Sequence, residues 1–140
     1  MKVLVTGTST GIGRGIAEKF LAEGHTVIGL DVAESTIAHE NYAHYIADVA
    51  CPEQLPAVEG VEILINNAGV QDSGRDMDVN LRGTIYCTEK YGIQPNIKSI
   101  VMTASVSAHN GAEFPEYCAS KGGVLAYTKN VALRVAKYGA

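Results

Sequence analysis

Cysteine is scarce: Cys51, Cys87 and Cys118 are odd in number, widely spaced and form no C-x-x-C pair. That pattern excludes a disulfide framework and a cysteine-ligated zinc, and it fits a reducing compartment. The four histidines (His25, His39, His44, His109) share no ligand spacing either, so they read as surface or loop residues and no metal is expected. No apolar run approaches the roughly eighteen residues of a membrane span. Positive charge is not in excess: 11 Lys and Arg against 15 Asp and Glu give a net charge of -4 and a pI near 5.5. A nucleic acid or an anionic membrane surface would therefore meet no basic field. Repeats, low-complexity tracts and charge runs are missing too. Met1-Lys2-Val3-Leu4-Val5 enters a strand-like run with no signal peptide before it. The expected setting is the cytoplasm, with neither nucleic acid nor membrane as partner.

What is present points to an ordered α/β chain. Its 140 residues have the length of one domain, taken as residues 1–140, with enough chain for a sizeable core. Hydrophobic residues make up 46% and mean hydropathy is +0.07, a folded rather than a disordered balance. Apolar runs of β preference at residues 3–5, 26–31, 44–47, 61–65 and 99–103 predict five strands. Helical spacing separates them. Ile12, Ile16 and Phe20 recur every four residues and stop at Gly24. Met77, Leu81 and Ile85 mark a second helix ending near Gly92 and Pro95, and residues 115–138 a last one. Pro56 limits residues 52–58 to a turn or two. The expected fold is a doubly wound parallel sheet in three α/β/α layers, its strands covered on both faces.

Between the first strand and first helix lies Thr6-Gly7-Thr8-Ser9-Thr10-Gly11-Ile12-Gly13, with glycines spaced G-x-x-x-G-x-G. A glycine turn in that place lets backbone approach a phosphate where a Cβ would collide, and the helix offers its unpaired N–H groups to the anion. Asp31 ends the second strand, eighteen residues past Gly13, where a carboxylate can accept from ribose hydroxyls. A 2′-phosphate would meet a like charge there, and Thr10 is neutral where a lysine or arginine could have gripped it. NAD is thus expected over NADP. Arg14 reads as a solvent-facing first-turn residue.

Tyr117 and Lys121 stand four residues apart in Tyr117-Cys118-Ala119-Ser120-Lys121. On a helix that interval puts both side chains on one face. A lysine charge there favours phenolate over phenol, lowering the tyrosine's pKa from about 10. Such a phenol can exchange a proton with a substrate oxygen. Cys118 points about 100° away along a helix of 3.6 residues per turn and receives no chemical role.

Taken with Asp48-Val49, Asn66-Asn67-Ala68-Gly69, Asn80 and Ser105, these motifs resemble the short-chain dehydrogenase/reductase family in its compact, non-extended branch, and they follow the family's order. The resemblance implies a Rossmann-like NAD-binding fold. It implies that Gly7, Gly11 and Gly13 cradle the pyrophosphate, with Thr10 and Ile12 lining the turn, and that Asp31 binds the adenosine ribose. Asp48 and Val49 would hold the adenine, while Asn66, Asn67, Ala68 and Gly69 support the central strand and border the cofactor. Asn80 would hold a water in a proton relay, Ser105 would bond the substrate oxygen, and Tyr117 would be the general acid/base. Lys121 would serve both Tyr117 and the nicotinamide ribose. Ser107, ten residues before Tyr117 against twelve for Ser105, is the competing serine. Thr103 and Thr128 read as packing or capping residues. The implied reaction interconverts a secondary alcohol and a ketone, with a dinucleotide-binding sensor or scaffold as the alternative and a sugar-nucleotide epimerase as a weaker one. A homodimer or homotetramer built on residues 77–91 and 115–138 is also implied. Three features depart from the family: short crossovers around the third strand, a brief segment between Gly69 and Asn80, and a chain that stops after the tyrosine helix. The expectation is a partial version of a longer protein, with an open edge on the fifth strand.

Overall fold

Val3, Leu4 and Val5 are wholly buried, which requires a strand covered on both faces and flanked on both sides. The computed structural model, which describes residues 1–112 and 114–140, places them in β1 (Lys2–Thr6) at the centre of a parallel sheet. The order is β3-β2-β1-β4-β5, with β2 at Thr26–Asp31, β3 at Tyr42–Ile46, β4 at Ile63–Asn66 and β5 at Ser99–Met102. Register pairs Val5 with Gly29 on one side and with Ile65 on the other. The alternation of β1 divides the core. Val3 and Val5 pack with Ala17, Leu21, Val27 and Ile65 under α1 (Gly11–Ala22). Leu4 packs with Leu30, Leu64, Val79, Tyr91 and Val131 on the opposite face. That face is covered by a helix over residues 77–92 and by α4 (Pro115–Val135). The fold is the Rossmann-like, doubly wound α/β/α arrangement the sequence implies.

Several expectations are corrected. Ile12 is not part of the buried stripe of α1: it is 73% exposed, and the buried residues are Gly13, Ala17 and Leu21. The helix docks by its smallest residues because a Cβ on Gly13 would overlap the Gly7 carbonyl oxygen, so the bulky Ile16 and Phe20 pack along the flank. His44 is no loop residue. It lies inside β3, which begins at Tyr42 rather than at residue 44 because Tyr42 takes register opposite Val27. The 77–92 helix is regular only at α2 (Thr84–Cys87) and is wound as π turns at Met77–Gly83 and Thr88–Gly92. Residues 52–58 hold one 3₁₀ turn, Pro52–Gln54. α4 ends at Val135 and tightens into a 3₁₀ turn at Ala136–Tyr138, and α3 (Ser107–Asn110) is a short addition before it. β5 pairs only with β4 among the described residues, and Val101 on it is exposed. No helix among the described residues is long and apolar enough to cross a membrane.

Two glycines of α1 separate close approach from mere permissiveness. Gly13→Ala drives a Cβ into the Gly7 carbonyl and is expected to lose about 1–3 kcal/mol in urea unfolding, the cost of overpacking a rigid contact. Gly15→Ala meets nothing within 4 Å and is expected to gain about 0.5–1 kcal/mol.

Candidate functional site

The strand order reverses between β1 and β4, so their outgoing segments diverge and leave a crevice at the carboxyl ends of the strands. The two lips are joined by hydrogen bonds. Thr6 Oγ1 accepts from the N–H groups of Asn67 (3.0 Å) and Ala68 (2.9 Å), and Asn67 Nδ2 donates to the Thr6 carbonyl at 3.2 Å. Gly7 and Gly11 have φ of 77° and 58°, the left-handed region that glycine adopts without penalty. Asp31 fastens the turn to β2: its Oδ2 accepts from Ser9 N–H and its Oδ1 from Ala33 N–H, each at 2.9 Å. A second chain buttresses the turn from β3. His44 Nε2 lies 2.9 Å from the Ala33 carbonyl, which can only accept, so this nitrogen donates. His44 Nδ1 lies 2.7 Å from Tyr42 OH, which in turn shares a hydrogen bond with Thr8 Oγ1 at 2.8 Å.

The crevice encloses a cavity of about 540 Å³. Of the residues expected to bind a cofactor, Gly7, Thr10, Gly11, Ile12, Asp31, Asp48, Val49, Asn67, Ala68 and Gly69 all line it. Gly13 does not; it is buried behind the turn, where it sets the helix against Gly7. Asn66 also lies behind, on β4, with Nδ2 donating to Thr88 Oγ1 at 3.0 Å and Oδ1 buried without a hydrogen-bond partner among the described residues. Arg75 lines the cavity although its sequence neighbourhood gives no sign of it. Its Nη2 donates to Asp48 Oδ2 at 2.7 Å. Burial alone would raise the Asp48 carboxyl, but the Ala50 N–H and the Arg75 guanidinium outweigh it and hold the group below the usual carboxylate range.

Tyr117, Lys121, Ser105 and Asn80 stand outside that cavity's lining, and Lys121 and Asn80 adjoin its Gly69 wall. A Cβ on Gly69 would lie 3.2 Å from Asn80 Oδ1 and 3.6 Å from Lys121 Nζ, so this glycine separates the two side chains from the cleft. Lys121 is 5% exposed, and burial pushes its ammonium below the usual 10.5. Its Nζ donates to the Thr103 carbonyl (2.9 Å) and lies 5.9 Å from the centre of the Tyr117 ring. Asn80 sits in the π-wound turn. Its Oδ1 accepts from Val70 N–H, and its Nδ2 donates to the Val70 carbonyl and to Ser120 Oγ. Ser105 follows β5 two residues past Thr103 and is partly exposed, its Oγ accepting from Ser107 N–H at 3.2 Å. Ser107 is buried at the start of α3, which leaves Ser105 as the serine open to a ligand. Thr128 bonds the Val124 carbonyl within α4 and has no part in this group. Among the described residues no cluster of three or more His, Cys, Asp or Glu could hold a metal ion.

Four contributors escaped the sequence reading. Thr6 acts through its hydroxyl, Ser120 through Asn80, the Tyr42–His44 pair through Thr8, and Arg75 through Asp48. Only Thr6 had a local signal, its place before the first glycine.

Asp76, on the loop that carries Arg75, is almost wholly buried. The Ser73 N–H, then the Asp72 N–H and Ser73 Oγ, hold its carboxyl below the ordinary 3.8 against the opposing effect of burial. The unfolded chain therefore binds the proton first, and stability falls as pH drops from about 4 through the lower folded value. Urea unfolding between pH 5 and 2 is expected to show a shallower acid loss in Asp76→Asn than in the parent chain.

With this geometry in place, the likeness to known proteins is specific. The sequence model of the short chain dehydrogenase family matches residues 1–140. An uncharacterised oxidoreductase of Schizosaccharomyces pombe is 32% identical over 98% of this chain and 62% of its own length. Galactitol 2-dehydrogenase of Agrobacterium fabrum is 30% identical over 97% of this chain and 65% of its own length. The chain thus spans just under two thirds of these relatives. Among solved structures, the 3-oxoacyl-[acyl-carrier protein] reductase of Brucella melitensis in complex with NAD superposes with a TM-score of 0.84 at 30% identity, covering 97% of this chain and 68% of that one. The sequence model, these relatives and the matching crevice agree: the chain belongs to the short-chain dehydrogenase family.

Proposed function

We propose that this chain carries the dinucleotide cleft and the acid/base group of an NAD(H)-dependent oxidoreductase that interconverts a secondary alcohol and a ketone. The observation that carries the reading is the buried Lys121 ammonium, 5.9 Å from the centre of the Tyr117 ring and beside Gly69 of the cleft wall. A lysine is seldom buried for packing alone, and a desolvated cation beside a phenol at the wall of a cleft is a mark of function.

The cleft suits a dinucleotide on its own features. Its volume lies in the range of small-molecule sites, and one wall is bare glycine backbone: a Cβ on Gly11 would meet nothing, so the space before it is open. Gly7 and Gly11 would hold the pyrophosphate at the start of α1, with Gly13 setting the helix and Thr10 and Ile12 at the mouth. Asp31, oriented by two backbone N–H groups, keeps acceptor capacity for ribose hydroxyls and repels a 2′-phosphate, which favours NAD. Asp48 and Val49 would take the adenine, and Asn67, Ala68 and Gly69 the passage toward the nicotinamide. The cofactor, when bound, supplies hydride chemistry. The chain supplies the proton. Tyr117 gives it to, or takes it from, the substrate oxygen; Ser105 bonds the same oxygen; Lys121 places positive charge where the phenol becomes negative. Asn80 fixes the Val70 backbone beside this group and links it to Ser120. Three free cysteines fit a cytoplasmic setting, and the exposed Leu133 on α4 fits a homo-oligomer, dimer or tetramer.

NADH fluorescence titration, followed by turnover on a panel of secondary alcohols and ketones, tests the reading. Binding with no turnover on any of them would favour the sensor. Tyr117→Phe is expected to lower kcat about 10²–10⁴-fold while NADH affinity stays within about twofold, the scale of one acid/base group. A Phe variant that turns over normally removes Tyr117 from the chemistry. Asp31→Ala is expected to narrow the preference for NAD over NADP in KM, and an unchanged ratio removes Asp31 from that role.

A further inference from the structure

The brief segment between Gly69 and Asn80 does more than shorten a connection. Asp72 (φ 53°) and Gly74 (φ 77°) turn it sharply, and Asp76 accepts from the N–H groups of Asp72 and Ser73 and from Ser73 Oγ. Arg75 N–H is itself held by Ser73 Oγ at 3.0 Å. From this fixed base the Arg75 side chain reaches Asp48, 27 positions earlier in the chain, joining the loop after β4 to the segment after β3. The cleft lies between them.

The charge balance gives the contact a purpose. The described side chains lining the cleft include two carboxylates, Asp31 and Asp48, and Arg75 is their one cation. A ligand carrying phosphates adds negative charge to that space, and in a partly desolvated cleft uncompensated like charges are costly. Neither partner is saturated by the other. Asp48 uses Oδ1 for Ala50 N–H and Oδ2 for Arg75, while a carboxylate has about four acceptor sites and a guanidinium five donors. The Arg75 side chain is 50% exposed, so it remains free to contact a ligand.

We infer that Arg75 is a binding residue for the adenosine-diphosphate half of the cofactor, a strap across the cleft that supplies the positive charge the two carboxylates and the ligand's phosphates call for. The inference rests on the dinucleotide reading above. The half is set by position: Lys121 and Asn80 adjoin the Gly69 wall, the glycine turn takes the phosphates, and the Arg75–Asp48 pair stands with the segment after β3.

Ligand binding tests it directly, on the whole chain. NADH is titrated by fluorescence, and ADP-ribose and nicotinamide mononucleotide are measured by calorimetry, with melting of the free protein recorded alongside. Arg75→Ala is expected to weaken NADH and ADP-ribose about five- to tenfold, the scale of one charge-assisted contact, and to leave the mononucleotide unchanged. Arg75→Lys should recover most of the loss and Arg75→Gln little, and added salt should shrink the gap between Arg75→Ala and the parent. Unchanged or tighter NADH binding in Arg75→Ala overturns the inference, as does a parallel loss of the mononucleotide or a Gln variant equal to the parent. If Arg75→Ala does not fold, the comparison of Lys with Gln decides the same point. Failure of the parent chain to bind NADH sinks the dinucleotide reading itself and this inference with it, whereas an indifferent Arg75→Ala sinks only the strap.

Discussion

One close approach governs the mouth of the sheet: α1 rests on the turn that precedes it through bare backbone, Gly13 against the carbonyl of Gly7, with the amide of Asn67 wedged beside both. A Cβ on Gly13 would overlap that carbonyl, and one on Gly7 would come within 2.9 Å of Asn67 Nδ2. Gly7, Gly13 and the sequence-distant Asn67 therefore determine one another. The Thr6 hydroxyl completes the joint by accepting from two successive N–H groups after β4. A cradle built this way is ordered by the fold itself. Its ordering cost is met during folding, so little is left to be met on binding.

The fold was legible because its signals are local. β-branched runs, helical spacing and glycine stops identify the strands and the main helices, and the glycine turn and Tyr117–Lys121 interval are short enough to read directly. What escaped depends on contacts across the sheet. The buried stripe of α1 was misread because the largest apolar residues mark its flank, while the demand for closeness at Gly7 puts small ones at the contact. His44 was read as a surface or loop residue, and its link to the turn escaped because nothing near it in sequence names Thr8 as the far end of its hydrogen-bond chain. Arg75 and Asp48 lie on different connections, and no spacing rule links them.

The two ends of the crevice are built on opposite electrostatic terms. Around Asp31 and Asp48, carboxylates are oriented by backbone N–H groups and offset by a half-exposed guanidinium. At the other end a lysine is taken out of water with one carbonyl as its hydrogen-bond partner, Thr103. Burial alone disfavours the charged form there, so the position works against stability. Asn80 carries a related burden: it sits in a helix wound as a π turn, a geometry that recurs at functional sites, and spends its amide on Val70 and Ser120 rather than on solvent. Neither residue is explained by packing.

That asymmetry also says how the parts divide their work. The Asp31 and Asp48 carboxylates already have hydrogen-bond partners within the fold, so their orientation is fixed. Beside Gly69, Lys121 has one carbonyl partner, Thr103, whereas Asn80 is held by three hydrogen bonds, to the Val70 N–H and carbonyl and to Ser120 Oγ. Fixed orientation on one side and a desolvated charge on the other are different demands on one backbone. Gly69 is where the two requirements meet: a side chain there would crowd Asn80 Oδ1 at 3.2 Å and stand 3.6 Å from the Lys121 ammonium. The smallest residue at the junction lets the glycine-rich cradle and the buried Lys121 and Asn80 share one wall.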